Sequence, residues 1–284
     1  MPIILGTGAY RYEVVDDWAK LPPGREFNAD VAAVGVDTQD RVYAFNRGQH
    51  PMVVFDRDGN FLRSWGEGVF RRAHGVPTPY MSGEPFHRCT HTALSPQGDL
   101  YVSDGYGNAR VHTYAPNGTL LRSWGEPGTD PGQFNIAHNI CCDADGWVYV
   151  ADRENHRVQV FDGHGTYETQ WNNMHRPSGL FLARGAQPRF YVGEIGGGMP
   201  VNYEMPNVGP RISIYSPKGE MLARLGQRPA GLERGQFMSP HGLAVDSRGD
   251  IYVGEVSYTN WRNRYKDQAP PAGLRSLQKL VKVR

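Results

Sequence analysis

The sequence predicts an all-β fold, a β-propeller of four-stranded antiparallel blades, on three observations. The chain of 284 residues contains 35 Gly and 21 Pro among many short β-rich runs, which is typical of strands joined by turns. A tyrosine-bearing strand recurs at intervals of about 40 to 60 residues, in the range of propeller repeats. A polar turn precedes each copy and a third strand follows it, as the antiparallel blade of a propeller requires.

The repeats are aligned on the tyrosine of the second strand, which is Tyr43, Tyr101, Tyr149, Tyr191 or Tyr252. The preceding turns read DTQDR, SPQGD, DADGW, ARGAQPR and DSRGD. The third strands read MVVFDRDG, VHTYAPNG, VQVFDGHG, ISIYSPKG and LQKLVKV, and the fourth strands FLRSWG, LLRSWG, YETQW and MLARLG. Five blades are therefore predicted, since each sheet buries its faces only against its neighbours.

The last unit has no fourth strand of its own. We expect the N-terminal stretch Tyr10–Trp18, YRYEVVDDW, to supply that strand and close the ring, so that residues 1–284 form a single domain. Two long intervals, Glu67–Thr90 and Gly196–Pro210, are rich in Pro or Gly and are predicted as loops over one face.

Composition limits the functional classes. A formal net charge of +1 argues against a nucleic-acid partner, whose phosphates require a basic surface. The N-terminus shows no signal-peptide pattern, and no run of about 18 apolar residues indicates a membrane span. The three cysteines, two of them adjacent, fit a reduced, cytoplasmic protein. Nothing in the sequence specifies an oligomeric state.

Antiparallel pairing places the start of strand one and the end of strand two at the same end of each blade. His138 and His241 stand at the start of strand one, eleven residues before the aligned tyrosine. Arg47 and Arg153 stand at the end of strand two, four residues after the aligned tyrosine. Tyr106 lies one residue further along, in the second repeat. We expect these five side chains to converge on one face near the propeller axis.

A further histidine, His74, lies in an AHG segment of the first long loop whose flanks resemble those of the other two. Three imidazoles with an open fourth position would suit a catalytic zinc ion. Two guanidiniums would suit a substrate carboxylate, and a phenol beside a metal ion can act as a base. The structural alternative stays open, because a histidine is often a core residue and Arg153 with Glu154 would make an ordinary surface ion pair.

The D-x-x-G turn, the [VI]-Y-V strand and the R-V-x-x-F strand resemble the NHL propellers over nearly the whole chain. SDGYGNARV, ADRENHRVQVF, FNIAHNI and FNRGQHP are similar to segments of the peptidyl-α-hydroxyglycine α-amidating lyase family, a six-bladed NHL-type propeller with a zinc centre. This resemblance implies that His74, His138 and His241 bind zinc. It further implies that Tyr106 is the catalytic tyrosine and that Arg47 and Arg153 face the substrate.

Two departures from the family pattern matter. Five complete blades are counted instead of six, so either His74 or His91 could complete the metal site. Gly242 follows the last zinc-binding histidine where the family has an acidic residue that helps to hold calcium, which disfavours a calcium ion here.

The leading functional hypothesis is a zinc-dependent, lyase-like enzyme that cleaves a small carbinolamide or related hydroxylated substrate bearing a carboxylate. One alternative is a non-catalytic NHL propeller that binds a protein or a small ligand on the same face. A second alternative is a metal-dependent hydrolase of the lactonase type, whose site would use the acids at the ends of the second strands. Those acids are Asp104, Asp152, Glu194 and Glu255, which we rank first as groups that bond backbone N–H.

Overall fold

The computed structural model describes residues 1–67, 86–226 and 229–284. It is an all-β structure of five antiparallel blades arranged as a β-propeller, as the repeats predict. No helix within these described ranges is long and apolar enough to cross a membrane.

The strands follow the chain in order. Two N-terminal strands are β1 (Ile4–Leu5) and β2 (Tyr12–Val15). The first blade has β3 (Val31–Val36), β4 (Val42–Asn46), β5 (Met52–Phe55) and β6 (Phe61–Trp65). The second blade has β7 (His91–Leu94), β8 (Leu100–Asp104), β9 (Arg110–Tyr114) and β10 (Leu120–Trp124). The third blade has β11 (Ala137–Cys142), β12 (Val148–Asp152), β13 (Arg157–Phe161) and β14 (Tyr167–Trp171).

The fourth blade has β15 (Pro177–Ala183), β16 (Arg189–Glu194), β17 (Arg211–Tyr215) and β18 (Met221–Leu225). The fifth sheet has β19 (Pro240–Val245), β20 (Ile251–Glu255) and β21 (Leu277–Lys282), to which β2 and β1 are added in that order. Tyr12 pairs with Lys282 and Val14 with Leu280, so both ends of the chain lie in one sheet. That the whole chain is a single domain stays a prediction.

The aligned tyrosine of the repeat serves the turn that precedes it. Tyr149 donates its hydroxyl to Asp143 Oδ2 at 2.8 Å, while Asp143 Oδ1 accepts the backbone N–H groups of Asp145 and Trp147. The same arrangement joins Tyr43 to Asp37 and Tyr252 to Asp246, each at 3.1 Å. The aspartate satisfies the turn backbone and the tyrosine holds the aspartate, which is why the two residues recur together.

Ser95 takes the place of the turn aspartate in the second blade. Its hydroxyl accepts the N–H groups of Gln97 and Asp99. Tyr101 then turns to a different partner and donates to the Gly163 carbonyl at 2.9 Å. The aligned tyrosine therefore remains hydrogen-bonded where the aspartate is lost.

The chain divides into two compact units. One comprises the described residues within Met1–Ala73, Gly193–Ile214 and Leu222–Arg284, and the other those within His74–Val192 and Tyr215–Met221. In the first unit Trp18 packs against Phe55 and Tyr252, with ring centroids 5.4 and 5.0 Å apart. In the second unit Trp124 packs against Phe161 with centroids 4.4 Å apart, in a cluster that also buries Phe134 and Ile140. Buried aromatic and aliphatic side chains therefore form a core cluster within each unit.

Outside the strands, the described residues form 3-10 turns at Arg153–Asn155 and Pro200–Asn202 and one α-helix, α1 (Ser257–Arg264). Helix α1 is not predicted from the sequence, because its residues, SYTNWRNR, show no apolar face at helical spacing. Tertiary contacts hold it: Asp30 accepts the backbone N–H of Thr259 at 3.0 Å, and Tyr258 donates to the Phe27 carbonyl at 2.9 Å. The helix depends on groups distant in sequence, which a local pattern does not reveal.

Candidate functional site

Four buried acids stand at the ends of the second strands and bind within their own blades. In the third blade Asp152 accepts the backbone N–H of Asn135 at 2.8 Å, Arg157 Nε at 2.8 Å and Gln159 Nε2 at 3.1 Å. Burial raises the pKa of Asp152, and hydrogen bonds from Asn155, the Asn135 N–H and Arg157 oppose that shift. The acid therefore ties the segment before strand one to the start of strand three.

The other three acids are also hydrogen-bonded within their own blades. Asp104 accepts the backbone N–H of His87 at 2.9 Å, and Glu194 accepts Arg211 Nη2 at 2.8 Å. Glu255 accepts the N–H groups of Met238 and Ser239 at 2.6 and 2.8 Å, and burial raises the pKa of its carboxyl group. Asp104, Asp152 and Glu255 therefore bind backbone N–H groups, as ranked first from the sequence, whereas Glu194 binds the Arg211 side chain.

His138 and His241 begin the first strands of their blades in equivalent surroundings. His138 Nδ1 donates to the Ser178 carbonyl at 2.8 Å in the second unit, and His241 Nδ1 donates to the Ala32 carbonyl at 2.8 Å in the first. A proton held on Nδ1 leaves the lone pair on Nε2, the arrangement that metal-binding histidines commonly have. Both imidazoles thus have the tautomer that a zinc ligand needs.

The second unit brings Tyr106, His138 and Arg153 together. Arg153 Nη1 donates to Tyr106 Oη at 2.9 Å, and the Tyr106 hydroxyl lies 3.4 Å from His138 Nε2. The Arg153 guanidinium also lies 5.2 Å from the centre of the Tyr106 ring. Tyr106 is 39% exposed and His138 only 2%, so the phenol is the accessible member of the cluster.

Arg153 is the buried member of a partly buried ion network and not one half of a surface pair. It is 8% exposed, and its Nε donates to Glu154 Oε1 at 2.8 Å. Arg176 Nη2 donates to the same oxygen at 2.8 Å. Burial raises the pKa of Glu154, but the hydrogen bond from Arg176 and the charge of Arg153 outweigh it, so that the pKa lies below its ordinary value. Arg176 is not apparent from the sequence as a partner of this site, because it lies 23 residues from Arg153, directly before the first strand of another blade.

The first unit contains Arg47 and His241. Arg47 Nη1 lies 3.4 Å from Asp30 Oδ2, and the Arg47 backbone N–H donates to the Asp30 carbonyl at 2.9 Å. Asp30 is the same buried acid that binds Thr259 in α1, so the helix and the arginine share one carboxylate. Sequence reasoning did not find Asp30, whose only signal is its place just before β3.

His74 and His91 are the two candidates for the third zinc ligand. His74 lies outside the described residues. His91 lies in β7, where its Nδ1 donates to the Ile140 carbonyl at 3.2 Å and burial lowers its pKa. Within the described ranges no three His, Cys, Asp or Glu side chains meet as a possible metal site. His74 and His91 therefore both stay predictions.

Gly242 has a structural reason to differ from the family pattern. A Cβ placed there would lie 2.6 Å from Ala33 Cα and 3.0 Å from the Val34 nitrogen, both in backbone of β3. No side chain fits without moving that strand, so an acidic residue could not occupy this position.

The comparisons with known proteins establish the family. The NHL repeat model matches residues 134–161 and 237–261. NHL repeat-containing protein 3 of Mus musculus is 30% identical over 297 residues, which cover 84% of this chain and 82% of that protein. The chain belongs to the NHL-repeat family of β-propeller proteins.

Other relatives carry amidating-enzyme names. Peptidyl-glycine alpha-amidating monooxygenase A of Xenopus laevis is 31% identical over 226 residues, covering 72% of this chain and 23% of that protein. Peptidyl-alpha-hydroxyglycine alpha-amidating lyase 1 of Drosophila melanogaster is 27% identical over 267 residues, covering 88% of this chain and 46% of that protein. The chain thus matches about a quarter of the monooxygenase and less than half of the lyase.

Among solved structures, the chain is similar to an auxiliary nutrient binding protein from Bacteroides thetaiotaomicron, with a TM-score of 0.57 and 14% identity. The match covers 99% of this chain and 76% of that one. At this identity the likeness supports the fold alone.

Proposed function

We propose that this chain is a zinc-dependent lyase of the amidating-lyase type, which cleaves a small carbinolamide that carries one carboxylate. The observation that carries the proposal is the contact of Arg153 with Tyr106 at 2.9 Å, beside His138 Nε2. It joins a cation, a phenol and a correctly protonated imidazole in one place. The name of the relative at 27% identity, an amidating lyase, supports the same class of reaction.

Tyr106 is the proposed proton acceptor. In its phenolate form it takes the proton of the substrate hydroxyl group, and the Arg153 guanidinium stabilises the negative charge on the phenol oxygen. The carbon–oxygen bond then becomes a carbonyl and the carbon–nitrogen bond breaks, with its electron pair left on nitrogen. Tyr106 returns the proton to that nitrogen, so the products are an amide and an α-oxo acid.

Arg47 and Arg153 are the proposed carboxylate-binding residues, because a guanidinium offers a planar pair of donors that matches a carboxylate. Both already pair with an acid, Asp30 and Glu154 respectively. These acids limit the orientations of the guanidiniums before substrate arrives.

His138 and His241 would hold the zinc ion through Nε2, together with His74 or His91. A bound zinc ion would supply Lewis-acid polarisation of a substrate oxygen. The fit rests on the donor set itself, since both described imidazoles have Nδ1 bound to a carbonyl and a lone pair on Nε2.

The first experiment is metal analysis by elemental mass spectrometry on the purified wild type and on the His138→Ala, His241→Ala double variant. We expect about one zinc per chain in the wild type and its loss in the double variant. His164→Ala is the matched control, because His164 lies in an exposed turn where it contacts Arg122, and it should retain the metal. Circular dichroism should show that all variants remain folded.

Turnover is then measured with a small N-acyl-2-hydroxyglycine by following the release of glyoxylate. The Tyr106→Phe variant should keep its zinc and lose at least about a hundredfold in kcat. A folded wild type without zinc, or full activity in Tyr106→Phe, would overturn the proposal and leave a binding propeller as the better account.

A further inference from the structure

The Arg153 guanidinium is held at two of its nitrogen atoms. Nε donates to Glu154 Oε1 and Nη1 donates to Tyr106 Oη, at 2.8 and 2.9 Å. The Nε edge is therefore occupied by the protein, and a substrate carboxylate can be met only through the terminal nitrogens. The same two bonds fix the plane of the guanidinium against the phenol ring.

Glu154 is in turn held by Arg176. Arg176 Nη2 donates to Glu154 Oε1 at 2.8 Å and Arg176 Nε donates to Oε2 at 3.0 Å, so both carboxylate oxygens are engaged. This two-point contact leaves the carboxylate one orientation, in which Oε1 also meets Arg153. Glu154 is thus a bridge between two guanidiniums.

The backbone of Arg176 is also fixed. Its N–H donates to His156 Nδ1 at 3.2 Å, and the rings of His156 and His175 are 4.5 Å apart. Arg176 adopts a left-handed backbone with φ of 53°, which is uncommon for a residue with a side chain. A side chain attached to so constrained a backbone can act as a fixed support.

The charges of the three groups have a consequence for the substrate. A lone Glu154 would neutralise Arg153 and compete with a substrate carboxylate for the guanidinium. Arg176 shares the Glu154 charge, so the network of two guanidiniums and one carboxylate keeps one net positive charge. Arg176 therefore both aligns Arg153 and leaves it able to attract an anion.

We infer that Glu154 and Arg176 are positioning residues, which orient Arg153 toward Tyr106 and the substrate carboxylate. This inference rests on the proposed function for its effect on turnover. The orientation of Arg153 by Glu154 and Arg176 is a separate claim about the protein without substrate.

The kinetic test is a double-mutant cycle with Arg176→Gln and Arg153→Ala, assayed with an N-acyl-2-hydroxyglycine. Arg176→Gln in the wild-type background should lower kcat/KM about tenfold, chiefly through a higher KM. In the Arg153→Ala background the same change should lower kcat/KM less than about twofold, because the residue through which it acts is gone. Arg176→Lys, which keeps the charge, should recover part of the loss.

A control separates this effect from a general loss of stability. Arg189→Gln removes an arginine of the same unit whose guanidinium donates to Gln187 Oε1 and to the Pro188 carbonyl. We expect it to leave kcat/KM unchanged. An equal loss for Arg176→Gln in both backgrounds would overturn the inference, since Arg176 would then act directly on substrate or on the fold.

The second measurement, hydrogen exchange at Arg153 Nε, does not require the protein to turn over a substrate. In protein with 15N-labelled arginine, the Nε–H resonance of Arg153, identified by its absence in Arg153→Lys, should exchange slowly with solvent. In Glu154→Gln and Arg176→Gln it should exchange at least about tenfold faster. An unchanged rate in both variants would refute the positioning role. A wild type without turnover would instead reject the proposed function, while the exchange rates still decide the role of Glu154 and Arg176.

Discussion

At the scale of single residues, the candidate site combines strain with charge. Ile136, two residues before His138, adopts a φ of 65°, a left-handed conformation that β-branched residues avoid. Its carbonyl accepts the backbone N–H of Arg153 at 3.0 Å, so the strained residue joins the histidine strand to the arginine turn. The backbone strain is located where His138 and Arg153 must be held together.

The pH dependence of stability should report the Glu154 network. Its pKa in the folded protein lies below the ordinary value of 4.5, so its stabilisation is fully present above pH 4.5 and is lost as pH falls through the lower folded value. We expect the wild type to exceed Glu154→Gln by about 1 to 3 kcal/mol in free energy of unfolding near pH 7. Urea titrations repeated near pH 3 should show a smaller difference, and a gap that widens on acidification would contradict the assignment.

At the scale of the element, three of the blades share one hydrogen-bonded turn before the second strand. The aspartate of the turn binds two backbone N–H groups and the hydroxyl of the aligned tyrosine in the first, third and fifth blades. The tyrosine is thus part of the hairpin and not only of the core. Its hydroxyl explains why tyrosine, and not phenylalanine, recurs at this position.

Tyr149→Phe tests this role without changing the volume of the core. Loss of the hydroxyl leaves Asp143 with two donors, and we expect a cost of about 1 kcal/mol in free energy of unfolding, measured by urea titration. Tyr167→Phe in the outer strand of the same blade is the matched control and should change it by less than about 0.5 kcal/mol. Equal effects of the two substitutions would argue against a special role for the aligned tyrosine.

At the scale of the whole molecule, the two ends of the chain meet in one sheet. Strand β2 pairs with β21 from Tyr12↔Lys282 to Val15↔Lys279, and the Val283 N–H donates to the Arg11 carbonyl at 2.8 Å. Tyr12 is fully buried. The N-terminal strand is therefore a structural part of the last sheet.

Tyr12→Ala should cost about 3 to 5 kcal/mol in free energy of unfolding, because it leaves a large buried cavity where β2 pairs with β21. Arg11→Ala, at the exposed neighbouring position, should change the stability by less than about 0.5 kcal/mol. Thermal and urea unfolding of both variants provide the measurement. Similar stabilities for the Tyr12→Ala and Arg11→Ala variants would mean that the pairing of β2 with β21 contributes little to the stability of the fold.

The repeats made most of the fold predictable. Residue spacing identified five blades, and the register placed Tyr106, His138 and Arg153 at one end of neighbouring strands, where the structure finds them in contact. Period and register are local properties of a strand, so they can be read from sequence. The metal, the substrate and the role of His74 stay predictions.

Sequence by itself determined the blade pattern, the five-blade count and the equivalent positions of His138 and His241. Only the tertiary structure decided the partners: Glu154 with Arg176, Asp30 with Arg47, and the carbonyls that fix both imidazoles. It also decided that Ser257–Arg264 forms a helix, held by Asp30 at its first turn. The physical reason is distance along the chain, because a hydrogen bond between remote segments leaves no periodic signal in either of them.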